Sequence, residues 1–76
     1  MLTITLYTRP ECHLCEEATN LVALVSPATV IEAVNIEEDL ALLDRYGIRV
    51  PVLKRADDAE LGWPFDEAQL AAFLTG

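Results

Sequence analysis

Hydrophobic and polar residues alternate at the beginning of the chain and then change to a spacing typical of helices. Leu2 to Tyr7, which reads LTITLY, alternates strictly and consists mostly of strand-forming residues, so it predicts a first strand. From His13 to Val25 the apolar residues recur at helical spacing, and Glu16 and Glu17 occupy the opposite face. This segment predicts a helix, which the following Ser-Pro pair ends because the residue before a proline avoids the helical conformation.

The middle of the chain predicts a second strand, a second helix and a third strand. Thr29 to Ile36 is rich in β-branched and apolar residues, as a buried parallel strand would be. Asn35 is a suitable cap for a helix that starts with acidic residues and that ends at Gly47. Ile48 to Leu53, which reads IRVPVL, predicts the third strand, interrupted near its start by Pro51.

The end of the chain predicts a hairpin and a last helix. Ala56 to Ala59 reads ADDA and predicts a turn before a short fourth strand at Glu60-Leu61. Asp66 is the expected cap of the last helix, and Gln69 completes a capping-box pair. The predicted order is therefore β-α-β-α-β-β-α. A right-handed crossover and a tight turn make this one α/β domain over residues 1–76, with a four-stranded mixed sheet and helices on both faces.

The charge of the chain narrows the classes of partner. Thirteen acidic residues stand against five basic ones, which gives a net charge of −8 and argues against nucleic acid and anionic membrane surfaces. The longest apolar run, Leu21 to Val25, is far shorter than the ~18 residues of a membrane span, and the N-terminus does not resemble a signal peptide. We therefore expect a cytoplasmic protein, in which a cysteine pair is more often catalytic or metal-binding than structural.

The only two cysteines, Cys12 and Cys15, lie between the first strand and the first helix, and three interpretations apply. A structural disulfide would close a very short loop, which gains least from cross-linking. A metal site would need four ligands, but no other cysteine exists and His13 is the sole histidine, so we predict no metal ligands. A redox centre fits best, because Cys-x-x-Cys between a strand and a helix is typical of thiol–disulfide chemistry.

The two cysteines have different predicted roles in such a centre. Cys12 falls at the N-terminus of the helix, where unpaired N–H groups and the helix dipole favour a thiolate nucleophile. Cys15 lies one turn further, on the inward-facing stripe, and is positioned to resolve the mixed disulfide. Among the flanking charges, a protonated His13 and Arg9 would lower the thiol pKa. The neighbouring glutamates at positions 11, 16 and 17 would raise it.

A proline provides a second signal. Pro51 stands at the start of the third strand, where a proline is uncommon without a cause. A cis Val50-Pro51 bond would turn the Val50 backbone outward beside the thiol, and a peptide-like substrate could then pair with it as an added strand. An ordinary trans proline at a strand start is the alternative interpretation.

The segments LYTRPECHLC, RVPVL and ELGWPFD together resemble the glutaredoxins, in particular the small glutaredoxin-like proteins of bacteria. The resemblance covers essentially the whole chain and implies a thioredoxin-like fold. It also implies that Cys12 is the nucleophile, that Cys15 resolves the mixed disulfide and that Pro51 is cis. Glutathione would then be held by Arg9 through a carboxylate and by the Val50 backbone.

The chain departs from the family pattern in two places. His13-Leu14 replaces the usual Pro-Tyr between the cysteines, and Trp63-Pro64-Phe65 follows Gly62 where the family commonly has a second glycine. Asp66 is therefore either a partner for the amine of glutathione or simply the helix cap. Trp63 and Phe65 could form a docking patch, but we expect them to close one end of the core.

The sequence as a whole predicts a thiol–disulfide oxidoreductase that cycles Cys12 and Cys15. Its expected substrates are protein disulfides or glutathionylated proteins, and its electron donor is a reductase or glutathione. We expect a monomer without a bound cofactor. The alternatives are a binding module that kept the fold without catalysis and a dimer bridged by a metal or an iron–sulfur cluster.

Overall fold

The secondary-structure elements follow one another in the predicted order. The computed structural model describes residues 2–75. It contains β1 (Thr3–Thr8), α1 (His13–Val25), β2 (Val30–Asn35), a 3₁₀ helix (Ile36–Glu38), α2 (Leu40–Tyr46), β3 (Val52–Lys54), β4 (Glu60–Gly62) and α3 (Glu67–Thr75). The bounds predicted for α1 are confirmed, whereas β1 and β2 differ from prediction by a residue at their ends.

The start of the second helix differs from the prediction. Asn35 does cap a helix, but it is the 3₁₀ helix, whose Glu37 N–H donates to the Asn35 side chain at 2.9 Å. The chain then leaves the helical conformation at Asp39, which caps α2 by accepting hydrogen bonds from the N–H groups of Ala41 and Leu42. Two capping residues, one on each side of the 3₁₀ helix, thus divide a segment that we predicted as one helix.

The third strand is shorter than predicted because its first half folds back onto α2. The N–H groups of Arg49 and Val50 both donate to the Tyr46 carbonyl, at 2.8 and 3.2 Å. Pro51 has no N–H to offer a neighbouring strand, and β3 begins only at Val52. Ile48, predicted as a strand residue, is fully exposed.

The sheet is mixed, as predicted, with the strand order β2-β1-β3-β4. β1 pairs in parallel with β2 and antiparallel with β3, which in turn pairs antiparallel with β4. The turn between β3 and β4 is fixed by Asp57, which accepts the Ala59 N–H and binds the Arg55 guanidinium at 2.6 Å. The Arg55 hydrogen bond, followed by the backbone hydrogen bond, lowers the pKa of Asp57.

Helices cover both faces of the sheet, and each face has its own core. On one face α1 and α3 pack on β1 and β3 in what we call the apolar cluster: Ile4, Leu6, Ala18, Val22, Leu53, Phe65 and Leu70. On the other face the 3₁₀ helix and α2 pack in the tyrosine cluster: Tyr7, Ile36, Tyr46 and Val52. The alternation of Leu6 with Tyr7 and of Leu53 with Val52 sends neighbouring side chains to opposite cores.

Over residues 2–75, no helix combines the length and the apolar character that crossing a membrane would require.

Candidate active site

Strand register brings several loops to one end of the sheet. Thr8, the last residue of β1, lies opposite Asn35 at the end of the parallel strand β2. On the other side of β1, Tyr7 lies opposite Val52 at the start of β3, and Val52 lies opposite Gly62 at the end of β4. Four loops therefore meet at the same end of the sheet: those that follow β1, β2 and β4 and the one that precedes β3.

Cys12 lies at this end of the sheet as the N-cap of α1. Its sulfur accepts the N–H of Cys15 at 3.2 Å, so the cysteine sulfur takes the place of the usual capping oxygen. Glu11 turns the chain into the helix through a left-handed conformation, with φ of 58°. The predicted position of Cys12 at the N-terminus of the helix is confirmed.

Cys15 lies behind Cys12, on the stripe of α1 that faces the apolar cluster. The two Cα atoms are 5.2 Å apart and the sulfurs are at disulfide distance. Cys15 is only 4% exposed, whereas Cys12 is half-buried and reachable from solvent. The arrangement gives one accessible sulfur and one shielded sulfur within bonding reach, which is the asymmetry that stepwise thiol–disulfide exchange needs.

A surface cavity of about 510 Å³ lies beside the cysteine pair. Cys12 and Cys15 form part of its wall, together with Arg9, Glu11 and Glu16. The remaining lining comes from β1, from the outer side of α1 and from Ala33 of β2. The cavity thus opens on the side of α1 that faces the β2 edge of the sheet.

Arg9 is already bound within the protein. Its Nε and Nη2 atoms donate to Oε2 of Glu37 at 3.1 and 2.9 Å, and its Nη1 atom donates to the Gly47 carbonyl at 2.9 Å. The guanidinium therefore links the loop after β1 to the 3₁₀ helix and to the end of α2. Its predicted role in holding a glutathione carboxylate stays a prediction.

The segment before β3 has the predicted backbone geometry. The Val50-Pro51 peptide bond is cis. Pro51 is buried, and its carbonyl accepts the Trp63 N–H at 3.1 Å, which joins this segment to the loop after β4. The Val50 N–H is occupied by the Tyr46 carbonyl. Among the loop and turn backbone hydrogen bonds of residues 2–75, none is accepted by the Val50 carbonyl. The pairing of Val50 and Pro51 with a peptide-like substrate stays a prediction.

Comparison with known proteins decides the family. A family model described as a glutaredoxin-like domain (DUF836) matches residues 3–75. The chain belongs to this glutaredoxin-like family. No curated protein sequence matches the chain at a significant level.

Solved structures agree with the family assignment. The chain is 44% identical to a structural genomics target protein from X. campestris, whose X-ray structure gives a TM-score of 0.87 with 95% of each chain covered. The solution structure of that target gives a TM-score of 0.86, with 99% of this chain and 94% of the other covered. A mutant thioredoxin from Halobacterium salinarum is 22% identical, with a TM-score of 0.67 over 96% of this chain and 71% of the other. The glutaredoxin-like chain therefore has a thioredoxin-like fold.

Two other predicted site residues have identified structural contacts. The His13 side chain is 96% exposed, and its Nδ1 atom lies 3.6 Å from a carboxylate oxygen of Glu16. Asp66 accepts the Gln69 N–H at 2.7 Å while Gln69 accepts the Asp66 N–H at 3.0 Å, so the capping box is confirmed. The role of His13 in lowering the thiol pKa stays a prediction, as does the role of Asp66 in binding substrate.

The aromatic residues after β4 belong mainly to the core, as expected. Phe65 is 6% exposed and is part of the apolar cluster. The Trp63 ring meets it edge to face, with the ring centroids 5.1 Å apart. The Trp63-Pro64 bond is also cis, which the sequence did not indicate.

Sequence reasoning missed Glu37 and Gly47 as neighbours of the site. The signal that would have found Glu37 was present: if β1 and β2 pair in parallel, the residues just after each strand must lie side by side.

In residues 2–75, no three side chains of His, Cys, Asp or Glu are grouped as metal ligands would be.

Proposed function

We propose that this glutaredoxin-like protein is a thiol–disulfide oxidoreductase that cycles Cys12 and Cys15 between dithiol and disulfide. The observation that carries the proposal is the unequal placement of the two sulfurs. Cys12 is the N-cap of α1, its sulfur accepts a hydrogen bond from the Cys15 N–H, and it is accessible to solvent. Cys15 lies one turn further along the helix and is buried. A helix N-terminus stabilises the negative charge that the attacking sulfur must carry.

The reaction proceeds by two sulfur displacements. The Cys12 thiolate attacks one sulfur of the substrate disulfide, forms a mixed disulfide and releases the other sulfur as a thiolate, which takes up a proton. The Cys15 sulfur then attacks Cys12, releases the second substrate thiol and leaves the protein oxidised. The N–H of Cys15, which donates to the Cys12 sulfur at 3.2 Å, helps to hold the charge on that atom.

The substrates that we propose are protein disulfides or glutathionylated proteins in the cytoplasm. Two electrons from glutathione or from a thioredoxin reductase would return the Cys12–Cys15 disulfide to the dithiol. We propose that the protein acts as a monomer and needs no bound cofactor. A net charge of −8 supports the absence of nucleic acid and anionic membrane partners.

A coupled assay tests the proposal. The oxidised protein and an excess of a protein disulfide substrate are incubated either with thioredoxin reductase or with glutathione and its reductase, and the oxidation of NADPH is followed. We expect turnover with one of these donors, and we expect Cys12→Ser to abolish it. If neither donor supports turnover that depends on Cys12, the chain is not an oxidoreductase of this class.

A further inference from the structure

The cavity beside the cysteine pair has an unequal set of charges. Of the described residues that line it, only Arg9 is basic, whereas Glu11 and Glu16 are acidic. A disulfide substrate that enters this cavity must bring its own charged groups close to these three side chains. The electrostatic preference of the site therefore depends on whether the positive charge of Arg9 is available to the substrate.

The positive charge of Arg9 is balanced within the protein. All three guanidinium nitrogens have partners: Nε and Nη2 on Glu37, and Nη1 on the Gly47 carbonyl. Both members of the ion pair are about two-fifths exposed, with side-chain accessibilities of 39% and 40%. The pair thus lies at the surface, and of its two members Arg9 is among the residues that line the cavity. A carboxylate that a substrate offered to Arg9 would therefore have to compete with Glu37.

The backbone fixes Glu37 in this position. Asn35 ends β2 opposite Thr8, so the residues that follow β2 lie beside the residues that follow β1. The Asn35 side chain then accepts the Glu37 N–H at 2.9 Å and sets the first turn of the 3₁₀ helix. Glu38 follows directly and is exposed, but it forms no ion pair or side-chain hydrogen bond within residues 2–75.

We propose that Glu37 is a specificity-determining residue of the redox site and that it acts through Arg9. By neutralising Arg9, it leaves the negative charges of Glu11 and Glu16 to dominate the cavity, and the neighbouring His13, 3.6 Å from Glu16, offsets the charge of Glu16 only when it is protonated. The site then disfavours disulfides that carry carboxylates near the sulfur and favours disulfides flanked by positive charge. The inference rests on the proposed function, because it concerns the substrates of the Cys12–Cys15 pair.

The test uses a single-turnover reaction with two small disulfides of opposite charge. Pre-reduced protein is mixed with dithiodipropionate, which carries a carboxylate on each arm, or with cystamine, which carries an ammonium on each arm. Each reaction converts protein dithiol and one disulfide into protein disulfide and two small thiols, so no other reductant takes part. Acid quenching followed by alkylation and mass measurement gives the second-order rate constant for each disulfide.

The decisive variant is Glu37→Gln, with Glu38→Gln as its control. Both remove one negative charge from the same 3₁₀ helix, but only Glu37→Gln releases Arg9. We expect the wild type to react faster with cystamine, and we expect Glu37→Gln to raise the dithiodipropionate-to-cystamine rate ratio about fivefold at low salt. Glu38→Gln should change the ratio less than twofold, and the effect of Glu37→Gln should shrink at high salt.

A second background separates release of Arg9 from simple loss of charge. In Arg9→Gln, we expect the further change Glu37→Gln to alter the rate ratio no more than Glu38→Gln does. Equal effects of Glu37→Gln and Glu38→Gln, or an effect that persists without Arg9, would overturn the inference while leaving the redox function intact. A wild type that neither disulfide oxidises through Cys12 would instead overturn the proposed function.

Discussion

The two faces of the sheet are built in different ways. The apolar cluster beneath α1 and α3 contains only aliphatic, alanine and phenylalanine side chains. The tyrosine cluster beneath α2 stacks the Tyr7 and Tyr46 rings with their centroids 4.4 Å apart, and the Tyr46 hydroxyl donates to the Glu60 carboxylate. The guanidinium carbons of Arg45 and Arg49 lie 5.5 and 5.6 Å from the centroid of the Tyr46 ring.

This difference separates two properties of the candidate active site. The apolar cluster holds α1, and therefore the geometry of Cys12 and Cys15, by packing that has no directional preference. The elements on the tyrosine face provide Glu37 and the Gly47 carbonyl, which hold Arg9, one of the residues that line the cavity. Substitutions in the apolar cluster should therefore lower the free energy of unfolding through lost packing. Substitutions on the other face should lower it through the loss of a particular hydrogen bond or through a local clash.

The largest loss of stability should come from the apolar cluster. Leu53 lies on β3, belongs to the apolar cluster and is 0% exposed. Leu53→Ala leaves a cavity there and should lower the free energy of unfolding by about 3 kcal/mol. Leu24→Ala is the control, because Leu24 lies on α1 but is 68% exposed. Urea denaturation measures both; similar losses for the two variants would show that this cluster is not the stabilising core.

Gly47 tests the packing at the end of α2. A Cβ atom at Gly47 would lie 2.6 Å from the backbone oxygen of Leu43, which cannot move aside as a side chain could. Gly47→Ala should therefore cost about 2 kcal/mol of unfolding free energy, a typical value for overpacking. Gly62→Ala meets no atom within 4 Å and serves as the matched control. Urea denaturation should separate the variants, and equal stability would contradict the predicted clash.

Tyr46→Phe should lower the unfolding free energy by about 1 kcal/mol near neutral pH, because it removes the hydrogen bond to Glu60. Burial, followed by that hydrogen bond, raises the pKa of Tyr46. The folded chain therefore keeps the phenolic proton to higher pH than the unfolded chain does. The associated stability is complete below the unfolded pKa and is lost as the pH rises through the folded pKa.

Denaturation at a series of alkaline pH values checks this pH dependence. We expect the wild type to lose stability more steeply than Tyr46→Phe above the ordinary pKa of tyrosine. Tyr7→Phe is the control, since no side-chain hydrogen bond of the Tyr7 hydroxyl occurs within residues 2–75. Parallel pH profiles for wild type and Tyr46→Phe would contradict the assignment.

An effect as small as that of Tyr46→Phe is expected at Asp66, whose side chain caps the N-terminus of α3. Asp66→Ala should cost about 1 kcal/mol as the loss of a helix cap, whereas Asp66→Asn should keep the cap and the stability. Thermal denaturation and turnover are measured on both variants. If Asp66→Asn retains stability but loses turnover, Asp66 binds substrate in addition to capping the helix.

The sequence predicts the fold well wherever a local signal determines the structure. Helical periodicity predicted α1 with its observed bounds, and the capping box at Asp66 and Gln69 predicted the start of α3. It failed where two signals competed, because Asn35 and Asp39 are both good caps and a pattern cannot say that each begins its own helix. The contact of Arg9 with Glu37 depends on strand pairing and on a side-chain conformation, which local periodicity does not encode.

A mixed-disulfide trap tests the division of roles between the two cysteines most directly. Cys15→Ser and Cys12→Ser are each mixed with excess cystamine, and the mass of the intact protein is measured over time. We expect Cys15→Ser to accumulate one cysteamine adduct, because its accessible Cys12 sulfur attacks and no resolving thiol remains, whereas Cys12→Ser should react at least tenfold more slowly. Equal rates for the two variants, or faster trapping at Cys15, would contradict the account.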